Sequence, residues 1–134
     1  MVNPLDVLET CLYVDDLGEA ERFYTDVLGL ALVSRRADRH VFFRCGSTML
    51  LLFNAPATSE LPSDVPLHGA RGPGHVAFSV SHSEIEPWTK RLEECGVVVE
   101  QRVNWPNGAC SIYFRDPAGN SLELATRDLW VLEA

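Results

Sequence analysis

The feature that most constrains this chain is that it reads twice. Glu9-Thr10-Cys11-Leu12-Tyr13-Val14 and His75-Val76-Ala77-Phe78-Ser79-Val80 both alternate in the manner of a strand, and each leads straight into a helix start. In the first copy Asp16-Leu17-Gly18-Glu19 fits a capping box. Leu17, Ala20, Phe23, Tyr24, Val27 and Leu28 then recur at helical spacing until Gly29. In the second, Ser83-Glu84-Ile85-Glu86 offers the same cap, and Ile85, Trp88, Leu92 and Cys95 form the apolar stripe that ends at Gly96.

Three further strand candidates follow each helix. They are 30–36, 40–44 and 48–53 in the first copy, and 97–103, 110–115 and 121–126 in the second. Phe42-Phe43-Arg44 matches Tyr113-Phe114-Arg115, and Asp116-Pro117-Ala118-Gly119-Asn120 has strong turn composition. Between the copies, Pro56, Pro62, Pro66, Gly69 and Gly72 break any periodicity. The expected fold is therefore α+β: two βαβββ modules, about 7–54 and 74–127, joined by a linker over 55–73 within one 134-residue domain. A helix covers only one face of each module. Pairing into a concave, partly open, barrel-like sheet with helices outside is the economical way to use the other faces.

Strand alternation then isolates residues that packing does not explain. With Val76, Phe78 and Val80 toward the helix, His75, Ala77 and Ser79 take the opposite face. In the first copy Thr10, Leu12 and Val14 leave Glu9, Cys11 and Tyr13 there, and Leu122 and Leu124 leave Glu123. A carboxylate on a half-enclosed strand face needs a cation, a hydrogen-bond network or water beside it. Two carboxylates and an imidazole, Glu9, Glu123 and His75, suit one divalent ion such as Mn, Ni, Zn, Fe or Mg, with coordination positions left for substrate oxygens. Taken singly, each has a plainer reading as an ion pair, a hydrogen-bonded sheet histidine or a hairpin carboxylate. The equivalent places of Glu9 and His75 in the repeat favour the metal.

Charge narrows the partners. With 11 Lys and Arg against 19 Asp and Glu, the formal net charge is −8, which repels phosphate backbones and anionic lipid. No apolar run reaches the roughly 20 residues of a membrane span, and Met1-Val2-Asn3-Pro4-Leu5-Asp6 lacks a basic start. The expectation is a cytoplasmic protein with a small-molecule ligand, no nucleic acid and no membrane. Cys11, Cys45, Cys95 and Cys110 form no C-x-x-C pair and read as reduced thiols. Cys11, Phe42, Leu50 and Leu52 are expected to line the cavity, with Trp105 as an exposed lid and Tyr113 and Tyr13 as hydrogen-bond or proton donors at its border. His40, His68 and His82 read as solvated.

Leu12-Tyr13-Val14-Asp15-Asp16-Leu17, Phe23-Tyr24, Val27-Leu28-Gly29-Leu30, Gly74-His75-Val76-Ala77-Phe78 and Phe114-Arg115-Asp116-Pro117-Ala118-Gly119-Asn120-Ser121-Leu122-Glu123 together resemble the vicinal oxygen chelate superfamily. That superfamily includes glyoxalase I, fosfomycin- and bleomycin-resistance proteins and extradiol dioxygenases. The resemblance implies ligands at Glu9, Leu50, His75 and Glu123, of which Leu50 cannot bind metal. It also implies a homodimer whose modules can be exchanged, and a metal acting as Lewis acid on a substrate with two neighbouring oxygens. The expected function is thus a metal-dependent lyase, isomerase or transferase. A metal-free binding protein of the bleomycin-resistance kind and an Fe(II) extradiol-type dioxygenase are the alternatives. His75 separates the first two, because a drug-sequestering groove has no need of a ligand histidine.

Overall fold

In the computed structural model, which describes residues 2–130, the chain divides into two compact units, Met1–Arg71 and Gly72–Ala134. The first contains β1 (Glu9–Tyr13), α1 (Leu17–Arg22) continued by a π-helical turn (Phe23–Val27), β2 (Ala31–Arg36), β3 (His40–Cys45), β4 (Thr48–Phe53) and the single turn α2 (Ala55–Thr58). The second contains β5 (His75–Val80), a 3-10 turn (His82–Glu84), α3 (Ile85–Glu94), β6 (Gln101–Asn104), β7 (Cys110–Arg115) and β8 (Ser121–Thr126). The fold is α+β, and each unit repeats βαβββ. No helix among the described residues is long and apolar enough to cross a membrane.

Both sheets are mixed and wound alike. Their orders are β1-β4-β3-β2 and β5-β8-β7-β6, with the first strand of each unit parallel to the last and the rest antiparallel. A parallel neighbour needs a crossover, and the helix supplies it. The Asp16 side chain accepts from Glu19 N at 2.9 Å to open α1. In the second unit the cap is Ser81, two residues before the expected Ser83. Ser81 N–H donates to Glu84 Oε1 at 2.8 Å, so the helical run begins with a 3-10 turn. Gly29 and Gly96 stop both helices at φ of 72° and 75°, where a Cβ would be strained.

The helix-facing side of each sheet carries the core. In the first unit Leu12, Val41, Phe43, Leu50 and Leu52 are buried with Ala20, Tyr24, Val27 and Leu28, and the Tyr24 and Phe43 rings lie 5.8 Å apart. In the second, Ile112, Phe114, Leu122 and Leu124 are buried with Ile85 and Leu92. Each such side chain contributes roughly 1.5–3 kcal/mol over its exposed state. Strand β6 starts at Gln101 rather than Val97, and Val98 stays exposed. Edge strand β2 is exposed along its length and carries a register shift between Leu32 and Ser34, a device that blunts an unpaired edge.

Two polar anchors set the geometry used below. Asn120, buried in the turn before β8, accepts from Gly74 N at 2.7 Å and donates to Asp116 Oδ2 at 2.9 Å. Asp116 Oδ1 in turn accepts from Ala118 N and Asn120 N. The residues that begin β5 and β8 are thereby tied together, in the register His75 to Ser121 and Ala77 to Glu123. In the first unit the expected linker is folded rather than loose. His68 N–H donates to Thr58 O at 3.0 Å, and the His68 ring meets Tyr13 and Phe53. Replacing Asn120 with Ala removes the acceptor of the Gly74 amide and the bond to Asp116, so denaturant unfolding should report a loss of about 2 kcal/mol. An unchanged midpoint would show that the turn does not hold the two strands in register.

Candidate functional site

The second sheet brings His75 and Glu123 together. Glu123 is buried in the middle of β8, and its Oε1 lies 3.3 Å from His75 Nε2, whose side chain is 51% exposed. A backbone carbonyl accepts but cannot donate, so the 2.9 Å contact between His75 Nδ1 and Ser121 O places a proton on Nδ1. In the neutral ring Nε2 is then a lone pair aimed at a carboxylate oxygen. Such a pair is reconciled either by a second ring proton, which makes it an ion pair, or by a cation between the two atoms. Cis ligands bonded at roughly 2.0–2.2 Å to one first-row ion stand about 3 Å apart, which the observed separation fits.

The carboxylate's other oxygen is already engaged. Ser111 Oγ–H donates to Glu123 Oε2 at 2.5 Å, and Trp105 Nε1–H donates to Ser111 Oγ at 2.9 Å. Tyr113, opposite Glu123 in the β7 to β8 register, stacks on the His75 ring at 6.4 Å and 24°. Burial first, and then the Glu123 carboxylate, push the Tyr113 phenol up, so at neutral pH it is a hydrogen-bond donor.

A family model described as the Glyoxalase/Bleomycin resistance protein/Dioxygenase superfamily matches residues 6–124. The chain belongs to that superfamily. It is 34% identical over 113 residues to the glutathione transferase FosA of Serratia marcescens, covering 84% of this chain and 74% of that protein. It is 31% identical over 118 residues to the metallothiol transferase FosB of Staphylococcus saprophyticus, covering 87% and 73%. Among solved structures, lactoylglutathione lyase from Agrobacterium tumefaciens superposes with a TM-score of 0.93 at 44% identity, covering 96% of this chain and 98% of that one.

Within this superfamily member, the expected site residues fall into different surroundings. Glu9 starts β1 of the first unit, paired in register with Met49, the place that His75 holds opposite Ser121 in the second. Within the second unit the geometry joins His75 to Glu123, and among the described residues no group of three or more His, Cys, Asp or Glu side chains gathers as a metal site. Leu50 and Leu52 do not line an open face. At 1% and 0% exposure they share the helix side with Leu12, because their register partners are Thr10 and Leu12. The residue equivalent to Glu123 is Leu51, opposite Cys11 as Glu123 is opposite Ala77. Leu51 rather than Leu50 therefore occupies the fourth place, and it too is unable to ligate.

Cys11 and Cys95 are exposed and Cys110 is buried, all as free thiols. Trp105 is not a free lid. It is half-buried, and Ser111 holds its indole N–H. Tyr13 Oη and His68 Nδ1 lie 2.6 Å apart in a hydrogen bond, and burial first and then Cys11 push the Tyr13 phenol up. His82 lies on the surface, its Nε2 2.8 Å from Asp128 Oδ2. His40 and His68, by contrast, are half-buried rather than solvated. They join Phe42 and Phe53 in an aromatic cluster, with the His40 ring stacked on Phe42 at 3.9 Å and Phe53 edge-on to His68 at 4.7 Å. Ser111 was not among the residues singled out from sequence, and His68 was read there as solvated. Alternation along β7 puts Ser111 on the face of Tyr113, a usable signal, whereas nothing local to His68 announces its return to Tyr13.

His40 offers a test of this cluster. Arg39 Nη1 donates to His40 Nδ1 at 2.5 Å, and burial, then Arg39 and Arg36, hold the imidazole below its usual range. The folded chain binds fewer protons there than the unfolded one. The stability this gives is present above the ordinary histidine pKa of roughly 6.5 and is lost as the pH falls below it. Between about pH 7.5 and 5.5 the melting temperature of His40→Gln should therefore fall less than that of the wild type. Equal falls would mean that the ring is not held neutral.

Proposed function

We propose that this protein is a metal-dependent enzyme of the glyoxalase and fosfomycin-resistance class, a lyase, isomerase or transferase acting on a small oxygenated substrate. The observation that carries the reading is His75 Nε2 facing a buried Glu123 oxygen at 3.3 Å, with Nδ1 committed to Ser121 O. His75 and Glu123 hold the ion. Glu9, at the repeat-equivalent place, is the third ligand, supplied by this chain or by a second copy in a homodimer. A divalent ion held there would supply Lewis acidity toward the oxygens of a substrate.

The chain's own groups then have definite tasks. Ser121 O fixes the tautomer of His75, Ser111 keeps one oxygen of Glu123 turned away, and Tyr113 presents a hydroxyl beside the His75 ring. The relatives named as glutathione and metallothiol transferases, and the structural relative named as a lactoylglutathione lyase, support a substrate or co-substrate that carries a thiol or its thioester.

A second reading has its own support. A half-buried carboxylate–imidazole pair on an acidic chain also suits a metal-free protein that binds a cationic molecule beside Glu123. Elemental analysis of untagged protein purified without chelators, followed by titration with Mn, Ni, Fe(II) and Zn, separates the two. The expected result is near-stoichiometric metal in the wild type, with affinity lowered by at least about tenfold in Glu9→Gln, His75→Ala and Glu123→Gln. Absence of binding by any of these ions overturns the enzymatic reading in favour of the second. Unchanged affinity in Glu9→Gln alone removes that residue from the ligand set.

A further inference from the structure

A fully buried hydroxyl in the middle of a strand costs desolvation unless it is used, and Ser111 is 0% exposed beside Cys110 and Ile112. Its use is fixed by Trp105. An indole nitrogen only donates, so the 2.9 Å bond from Trp105 Nε1 occupies the acceptor side of Ser111 Oγ and sends the single hydroxyl proton to Glu123 Oε2 at 2.5 Å. The indole is itself held by its hairpin, since Trp105 N–H donates to Ala109 O at 2.9 Å and Gly108 N–H returns to Trp105 O at 3.0 Å. Gly108 closes this turn at φ 91°, a conformation that side chains rarely adopt.

The consequence falls on Glu123 Oε1. Ser111 takes one lone pair of Oε2, Tyr113 also hydrogen-bonds the carboxylate, and Oε1 is the oxygen that faces His75 Nε2. We propose that Trp105 and Ser111 are positioning residues that hold Glu123 as a one-oxygen ligand and so set which ion the site prefers. This rests on the reading of His75 and Glu123 as metal ligands. An ion that accepts an imidazole and a single carboxylate oxygen at short distance is favoured by this arrangement. Calcium takes six to eight oxygens at roughly 2.3–2.6 Å and gains from a two-oxygen carboxylate, so it is disfavoured. Neither Trp105 nor Ser111 touches the ion, and the effect passes through the orientation of Glu123.

The test titrates Mn2+ and Ca2+ separately into wild type, Ser111→Ala and Trp105→Phe by calorimetry, with the metal-free melting temperature of each as a control. Ser111→Ala frees Oε2, so Mn2+ affinity should fall by about 10–100-fold while the preference for Mn2+ over Ca2+ narrows by about tenfold. Trp105→Phe keeps the ring but not the donor, and should move both quantities the same way by a smaller factor. A merely structural role would lower the melting temperature and leave the ratio alone. If the wild type binds Mn2+ and the ratio is unchanged in both variants, the positioning role is wrong while the metal site stands. If the wild type binds neither ion nor Ni2+ or Zn2+, the metal reading fails and this inference with it. Should Ser111→Ala fail to fold, Trp105→Phe decides alone.

Discussion

A carboxylate placed in the middle of a buried strand has to be compensated, and Glu123 is the point around which the second unit is organised. Ser111 answers one oxygen and His75 faces the other. Neither contact is local in sequence. Ser111 arrives because β7 runs antiparallel to β8, and His75 because β5 runs parallel to it on the other side. The parallel neighbour is available only because α3 carries the chain back across the sheet. The Asn120 link to Gly74 then sets how far β5 slides along β8. A shift by one residue would turn His75 to the other face.

The first unit repeats the winding and changes the chemistry. Where the second unit has Glu123 its register offers Leu51, and where the second has His75 it offers Glu9. The corresponding face carries Tyr13, Phe42 and Phe53, with His40 and His68 among them. A duplicated architecture thus keeps its hydrogen-bond ladders while the two faces specialise, one around a carboxylate and an imidazole, the other around stacked rings.

Much of this was legible in the residues. The repeat placed both helices, their glycine stops and seven of the eight strands close to their observed limits, because alternation and helical spacing are properties of consecutive residues. The same alternation put Glu123 and His75 on one face. It failed at Leu50 and Leu52, where five successive apolar residues, Met49 to Phe53, give no polar mark to say which of them turn inward. The pairing of Leu50 with Phe43 and of Leu52 with Val41, both buried against the helix side, decided it. In the segment after β4, read from its prolines and glycines as a linker, nothing local announced that His68 returns to Tyr13.

The sequence by itself determined the two βαβββ units, the α+β class and the residue types able to hold an ion, since these follow from periodicity, turn chemistry and donor identity along the chain. Only tertiary structure decided that Ser111 and Trp105 stand behind Glu123, that Ser121 sets the tautomer of His75, and that Leu51 takes the fourth place. These depend on register between strands distant in sequence. Register is chosen by the summed fit of a whole face against its helix, a quantity that no single stretch of residues carries.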